Sequence, residues 1–287
     1  MPELPEVETL CRQLNAVLPD ERILRIEVLD PRLGNIKCRR GGNAILFPGS
    51  VPDGLGLEKI AGLVGRRIAA VMRKGKSIHI QMNGGLTAVL HLRMSGRLLY
   101  LAADVPPSSN IIPYSRIVIG FASGTLVLID PRRFATFDVQ TEGIAPALPD
   151  DPLEGLSARR LREIARTRRR PVKSFLMDQR LIAGIGNIYA CEILFAAGID
   201  PRRPACSLAT AEWRKVAKAA AAILHRAVTC RGTTISDWRD LFGCSGTNQD
   251  HLEVYSRQGA PCRRCGGSIE RIKQGGRGTW LCPICQK

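Results

Sequence analysis

Acidic residues are scarce in this chain: 26 Asp plus Glu face 42 Lys plus Arg, a formal net charge of +16 over 287 residues. So large an imbalance repels itself in a compact state and calls for a polyanionic partner, with nucleic acid first; a solvated basic surface is the plainer account. Aromatic residues make up only 5%, which argues against stacking on single-stranded bases and so against an RNA-binding zinc ribbon. No apolar run approaches the ~20 residues that a membrane span needs. The first ten residues have no basic n-region and no apolar h-region, and their first charges are acidic, so no secretory signal and no membrane partner are expected. A bacterial-type cytoplasmic location follows. No internal repeat is visible. In that setting the ten cysteines should be thiols or metal ligands rather than disulfides.

Hydrophobic residues supply 45% of the chain, enough for two compact domains and a small appendage. Pro5-Glu6-Val7-Glu8 opens a helix, with proline in the first turn and acids at the positive end of the dipole. Val7, Leu10, Leu14, Val17 and Leu18 share one face to about residue 18. From about 21 to 140 short β-rich runs follow, at 22–29, 64–72, 77–82, 87–93, 97–101, 116–121 and 125–129, with a Gly- and Pro-rich loop over 32–56. A Pro-rich linker at 146–152 leads to helices near 157–167, 171–179, 187–197, 210–228 and 234–241. The turn Leu181-Ile-Ala-Gly-Ile-Gly186 lacks the preceding strand and glycine spacing of a dinucleotide site. The expected fold class is α+β: an N-terminal helix with an antiparallel β-sandwich (1–140), a helical domain (153–250) and a terminal unit (253–287).

That terminal unit holds Cys262-x2-Cys265 and Cys282-x2-Cys285, with 16 residues between the pairs. Four thiolates at this spacing converge on one Zn²⁺, and with all four positions filled by cysteine the metal is structural. The unit is too small to fold on burial alone, so zinc supplies its folding energy. Arg263, Arg264, Arg271, Lys273 and Arg277 surround it.

Between Arg159 and Arg180 lie nine basic residues and two acids. Arg168-Arg169-Arg170 and Lys173 flank Pro171, a helix start where side chains and free N–H groups together hold phosphates. Asn187 opens the next helix; capping it and donating to a phosphate are equally open roles.

Pro2-Glu-Leu-Pro-Glu-Val-Glu8 resembles the opening of the formamidopyrimidine-DNA glycosylase family. His91-Leu-Arg-Met-Ser-Gly96 is similar to its HLGMSG stretch, and Asp130-Pro-Arg-Arg-Phe134 to its DPRRF loop. Leu176-Met-Asp178 through Gly184-Ile-Gly-Asn-Ile-Tyr-Ala190 resembles its helix–two-turn–helix core, and the four cysteines its zinc finger. The resemblance spans the chain with the motifs in order. It implies a monomeric enzyme on damaged double-stranded DNA, nucleoid-associated through that DNA, with zinc its sole cofactor. The implied chemistry is excision of oxidised purines followed by strand cleavage.

The resemblance also implies the site. Pro2, freed by removal of Met1, is the amine nucleophile, and Glu3 protonates the opening sugar. Lys76 serves β-elimination, though nothing local separates it from Lys74; Arg277 serves δ-elimination or clamps a phosphate. Met94, Arg132 and Phe134 fill the space left by the extruded nucleotide. Tyr114, Arg168, Lys173 and Asn187 contact the DNA. Each has a plainer reading. Pro2 and Glu3 are a helix lead-in, and Met94 and Phe134 are core residues, which on sequence alone is the favoured account.

Tyr114 replaces a frequent histidine, Arg168 replaces a lysine, the 32–56 loop is long, and Gly243–Asp250 departs from the family pattern. Two other readings are an endonuclease VIII-like glycosylase for oxidised pyrimidines and a non-catalytic zinc-dependent DNA-binding protein. The first is disfavoured by Leu4 and the intact DPRRF loop; the second gives Pro2 no task.

Overall fold

The computed structural model describes residues 2–30, 44–46, 57–103, 112–141 and 150–287. Its described residues form two compact units. The first comprises residues 6–145 with Pro2 and Thr233–Gly246; the second comprises 146–232 and Thr247–Lys287 with Glu3–Pro5.

In the first unit α1 (Leu4–Val17) is followed by β1 (Arg25–Val28), β2 (Ala44–Leu46), α2 (Leu57–Ala61), β3 (Ile68–Lys74), β4 (Ser77–Met82) and β5 (Leu86–His91). Then come β6 (Arg97–Ala102), β7 (Ser115–Gly120), β8 (Gly124–Ile129) and β9 (Thr136–Thr141). Among the described residues these make two antiparallel sheets, in the orders β2-β1-β7-β8-β6 and β3-β4-β5-β9. β4 alternates half-buried and buried residues along its length. Its buried Ile78, Ile80 and Met82 join Val7, Leu10 and Leu14 of α1, and Leu18 just after it, in one core with Ile26, Leu98, Ile117 and Leu128. This is the two-layer solution for sheets with one apolar face each.

α1 runs antiparallel to β3. Asn15 donates from Nδ2 to Val71 O at 2.5 Å and accepts the Val71 N–H at 2.9 Å, while Glu8 pairs with Arg73 at 2.9 Å. The start of the helix therefore points toward the turn that links β3 to β4. In that two-residue turn Gly75 adopts φ +58°, which a side chain rarely takes, and Lys76 follows it.

In the second unit α3 (Ala158–Ala165), α4 (Val172–Leu176), α5 (Asn187–Ala197) and α6 (Thr210–Thr229) enclose a core centred on Phe175, Tyr189, Leu194, Trp213 and Leu224. The Phe175 and Trp213 rings lie 5.3 Å apart. The chain ends in a hairpin of β10 (Glu270–Gln274) and β11 (Arg277–Leu281). No helix among the described residues is long and apolar enough to cross a membrane.

Several expectations need correction. The stretch 32–56, read as loop, carries β2; its other residues lie outside the described ones. β9 and α2 were not expected. The helix expected at 234–241 is absent. Ile235, Trp238 and Leu241 have helical spacing, but Ile235 is exposed while Trp238 and Leu241 enter the sandwich core. The segment is drawn out by that core instead of closing on itself.

Candidate active site

In the first unit the register gathers three connections at one end of the smaller sheet. Ser77 pairs with His91 and His91 with Thr136, so the β3–β4 turn with Lys76, the loop 92–96 and the loop 130–135 are neighbours. The amine end of α1, with Pro2 buried ahead of it, is directed to the same end.

Both loops are built around one carboxylate. Asp130 is fully buried. Its Oδ1 accepts Ser95 Oγ at 2.5 Å and the Arg132 N–H at 3.1 Å; its Oδ2 accepts the N–H groups of Phe134 and Ala135, both at 2.6 Å. A carboxylate offers about four acceptor sites, and here each takes a donor that the tight loop could not pair otherwise. The Asp130 N–H in turn donates to Tyr114 O at 3.0 Å, and Tyr114 adopts φ +67°. Arg133, at φ +60°, pairs with buried Asp30 at 3.1 Å.

Strained backbone pinned in this way pushes side chains outward. Met94 is 52% exposed, Tyr114 59% and Phe134 45%. The Arg132 guanidinium stacks over the Phe134 ring, 4.7 Å from its centre. The core-packing account of Met94 and Phe134 is thus overturned: the Asp130 network holds them on the surface. Beside them, burial together with the charges of Arg93 and Lys76 pushes the His91 imidazole down to about 4. His91 Nδ1 accepts the Arg93 N–H at 3.0 Å.

In the second unit Glu3, 2% exposed, serves as the cap of α5. Its Oε1 accepts the Ile188 N–H at 3.0 Å and its Oε2 the Tyr189 N–H at 3.4 Å, at the positive end of the helix dipole. A Cβ on Gly186, the residue before the helix, would overlap the Glu3 carboxylate and push it off this cap. Asn187 is therefore not the cap. Its Oδ1 accepts Lys173 Nζ at 2.6 Å and its Nδ2 donates to Gly278 O at 3.0 Å.

Lys173 is 2% exposed, and its ammonium donates to Asn187 Oδ1, to Gly278 O at 3.2 Å and to Thr279 Oγ1 at 2.7 Å. Three donors meet three neutral oxygens. Burial pushes its pKa below the usual lysine range, with Arg277 adding to the effect against the opposing charges of Cys191 and Glu3. Arg277, exposed, precedes Gly278, so Lys173 and Asn187 fix the backbone that presents it. A cavity of about 260 Å³ opens here, lined by Arg170, Lys173, Asp178, Arg180, Gln274 and Arg277 among others. Arg168 is exposed nearby in sequence, its Nε donating to Ile164 O at 3.1 Å.

The four cysteine sulfurs at 262, 265, 282 and 285 lie within 4.8 Å of one another. Cys265 and Cys282 are 3.4 Å apart and Cys262 and Cys285 3.9 Å. Zn–S bonds of about 2.3 Å in a tetrahedron put sulfurs roughly 3.8 Å apart, so one Zn²⁺ fits and no ligand position is left open.

Sequence reasoning missed Asp130 as an organiser. It also missed Glu192, 2% exposed, whose carboxylate accepts the N–H groups of Glu253, Val254 and Tyr255 at 2.8, 3.0 and 2.8 Å. A lone acid inside the apolar run of α5 was the available signal for the second.

Three family profiles match the chain in order. They are the formamidopyrimidine-DNA glycosylase N-terminal domain at residues 1–137, its H2TH domain at 148–238, and a zinc finger found in FPG and IleRS at 259–287. Together with the fold and the cysteine cluster, they define the class: a DNA glycosylase with a structural zinc ribbon. A formamidopyrimidine-DNA glycosylase of Moorella thermoacetica is 41% identical over 95% of both chains, and one of Exiguobacterium is 37% identical over the whole of both. A Lactococcus lactis FPG mutant in complex with DNA containing Fapy-dG has a TM-score of 0.84 at 28% identity, covering both chains completely. A Lactococcus lactis Fpg with DNA containing an abasic site has a TM-score of 0.83 at 29% identity over 99% of each. The chain belongs to the formamidopyrimidine-DNA glycosylase family.

Proposed function

We propose that this protein excises oxidised purines, such as 8-oxoguanine and formamidopyrimidines, from duplex DNA and then cuts the strand, with Pro2 as nucleophile. The observation that carries the reading is the direction of α1, whose amine end is aimed at the sheet end bearing Lys76, Met94, Arg132 and Phe134.

Removal of Met1 leaves Pro2 a secondary amine, and α-amino groups titrate near about 7.7–8.0, so a useful fraction is unprotonated at neutral pH. The nitrogen attacks C1′, the base departs, and the ring-opened sugar is held as an iminium. Glu3 supplies the proton to the ring oxygen. The iminium acidifies C2′; its proton leaves to Lys76 and the 3′ phosphate departs. A second elimination with Arg277 releases the 5′ phosphate, leaving a one-nucleotide gap. Met94 and Phe134 occupy the vacated stack, and Arg132 hydrogen-bonds the orphaned base. Tyr114, Arg168, Lys173 and Asn187 serve the backbone grip, the last two by holding Gly278 and hence Arg277. The zinc is structural and takes no part in the bond changes. The protein acts as a monomer.

Borohydride reduction tests this: the parent protein becomes covalently joined to lesion-containing duplex. The Pro2→Gly variant, which exchanges the secondary amine for a primary one, keeps much of its DNA affinity and loses most cleavage. Unimpaired cleavage by that variant, or full activity with Met1 shown by mass spectrometry to be retained, defeats the reading. A panel of oxidised purines and pyrimidines in duplex separates the two lesion classes.

A further inference from the structure

α5 is a buried helix whose two sides have different partners. Tyr189, Ile193 and Ala197 enter the core that holds Trp213, Val216 and Ala220 of α6. Cys191 and Phe195, on the opposite side, pack with Val254, Ile269 and Cys282 of the ribbon. The second unit is therefore layered: ribbon, then α5, then α6. The outer side of α6 faces away from the ribbon. With neighbouring layers about 10 Å apart, it lies roughly 20 Å from the layer that carries Arg277.

Arg214, Lys215, Lys218 and Arg226 are all exposed on that outer side. At about 100° and 1.5 Å per residue they share an arc of roughly 120° and a length of roughly 18 Å. Ala222 and His225 are the other exposed residues of this stretch, so no acid interrupts it. Opposite charges three or four residues apart support an exposed helix, and like charges oppose it. Here Arg214 and Lys218 are four apart, Lys215 and Lys218 three, and all are positive. The one acid of α6, Glu212, is already engaged: Arg203 donates to it at 2.6 and 3.2 Å and the Ala209 N–H at 2.8 Å. This row of cations repels itself in the free protein, and a row of phosphates relieves that repulsion.

We propose that the outer side of α6 is a second duplex-binding surface. It takes an undamaged DNA segment by its phosphates, apart from the segment held at Lys173 and Arg277, and so lets the protein pass from one segment to another without first being free in solution. Contacts to backbone charge carry no sequence preference. The surface needs duplex DNA as a partner and is independent of the Pro2 chemistry.

Release of a short labelled duplex with a non-cleavable abasic analogue tests this. Unlabelled undamaged duplex is raised from about 1 to about 10 μM, within the range of non-specific affinities. A protein with one DNA surface releases its duplex at a rate that ignores the competitor. The parent should release up to about tenfold faster across that range, and the effect should fall with salt at a log–log slope of about 3 to 4, the value for four phosphates. The variant carrying Arg214→Gln, Lys215→Gln, Lys218→Gln and Arg226→Gln should lose the competitor effect. It should keep its grip on the labelled duplex, and its excision from a short duplex, within about twofold. If that variant does not fold, Lys218→Gln with Arg226→Gln should lower the slope by about 2. Competitor-independent release by the parent, or an equal competitor effect in a folded variant, overturns the proposal. Retention on phosphatidylserine vesicles without any competitor effect also overturns it and assigns the stripe to a lipid surface. A parent that binds but does not excise removes the Pro2 reading and leaves this test standing, because release is timed on binding alone.

Discussion

Asp130 in the first unit and Lys173 in the second are both buried charges that tie loops together, and they do so in opposite ways. Asp130 collects donors from Ser95 and three backbone N–H groups, and the loops it ties are strained enough to display Met94, Arg132 and Phe134. Lys173 gives its protons to neutral oxygens of α5 and the ribbon hairpin, and what it fixes is the backbone behind Arg277. An anion suits a tight loop, whose N–H groups point inward without partners; a cation suits a helix–hairpin junction, where oxygens converge. The difference predicts unequal fragility. Removing the carboxylate strands several donors, whereas removing the ammonium leaves acceptors that tolerate neglect better.

The largest effect should come from taking away the metal. Chelation, or Cys282→Ala, should unfold the ribbon and with it the Gly278 and Thr279 acceptors of Lys173, since structural zinc is worth about 10 kcal/mol or more to such a unit. Trp280, whose ring lies 4.3 Å from that of Tyr255 at a tilt of 52°, reports this by fluorescence. DNA affinity should fall roughly 100-fold as phosphate contacts are lost, while the sandwich core keeps its melting transition. Next, Asp130→Ala strands four donors at about 1 kcal/mol each and should cost about 4 kcal/mol in chemical denaturation. Lys173→Met should cost less, about 1–2 kcal/mol; an equal loss would erase the distinction between the two hubs. The smallest effect concerns Asp178. Burial pushes its carboxyl up, but hydrogen bonds from the Arg180 side chain and backbone and from Arg170 outweigh that and hold it at about 2. Its folded value lies below the unfolded one, so its contribution is present above the ordinary carboxylate range and is lost as pH falls toward 2. Asp178→Asn should flatten that part of the acid-unfolding curve.

Much of this was legible beforehand. The apolar face of α1 at Val7, Leu10 and Leu14 and the span of β4 follow from period alone. The zinc ligands follow from spacing. β9 was not, because Thr136 follows the 130–135 loop with no break to announce a new strand. The helix expected at 234–241 failed for a related reason: its apolar spacing is real, but the partners of Trp238 and Leu241 are in the sandwich core. Display is the least legible property of all. Phe134 looks like a core residue until a buried carboxylate four positions earlier is seen to hold its N–H.

The bonds from Ile188 and Tyr189 to Glu3 bear on how an inactive enzyme should be made for capturing substrate. Glu3→Ala would delete the proposed acid and also uncap the helix that begins at Asn187, so a lost signal could not be traced to one cause. Glu3→Gln keeps an oxygen for one of those amides and is the cleaner dead mutant.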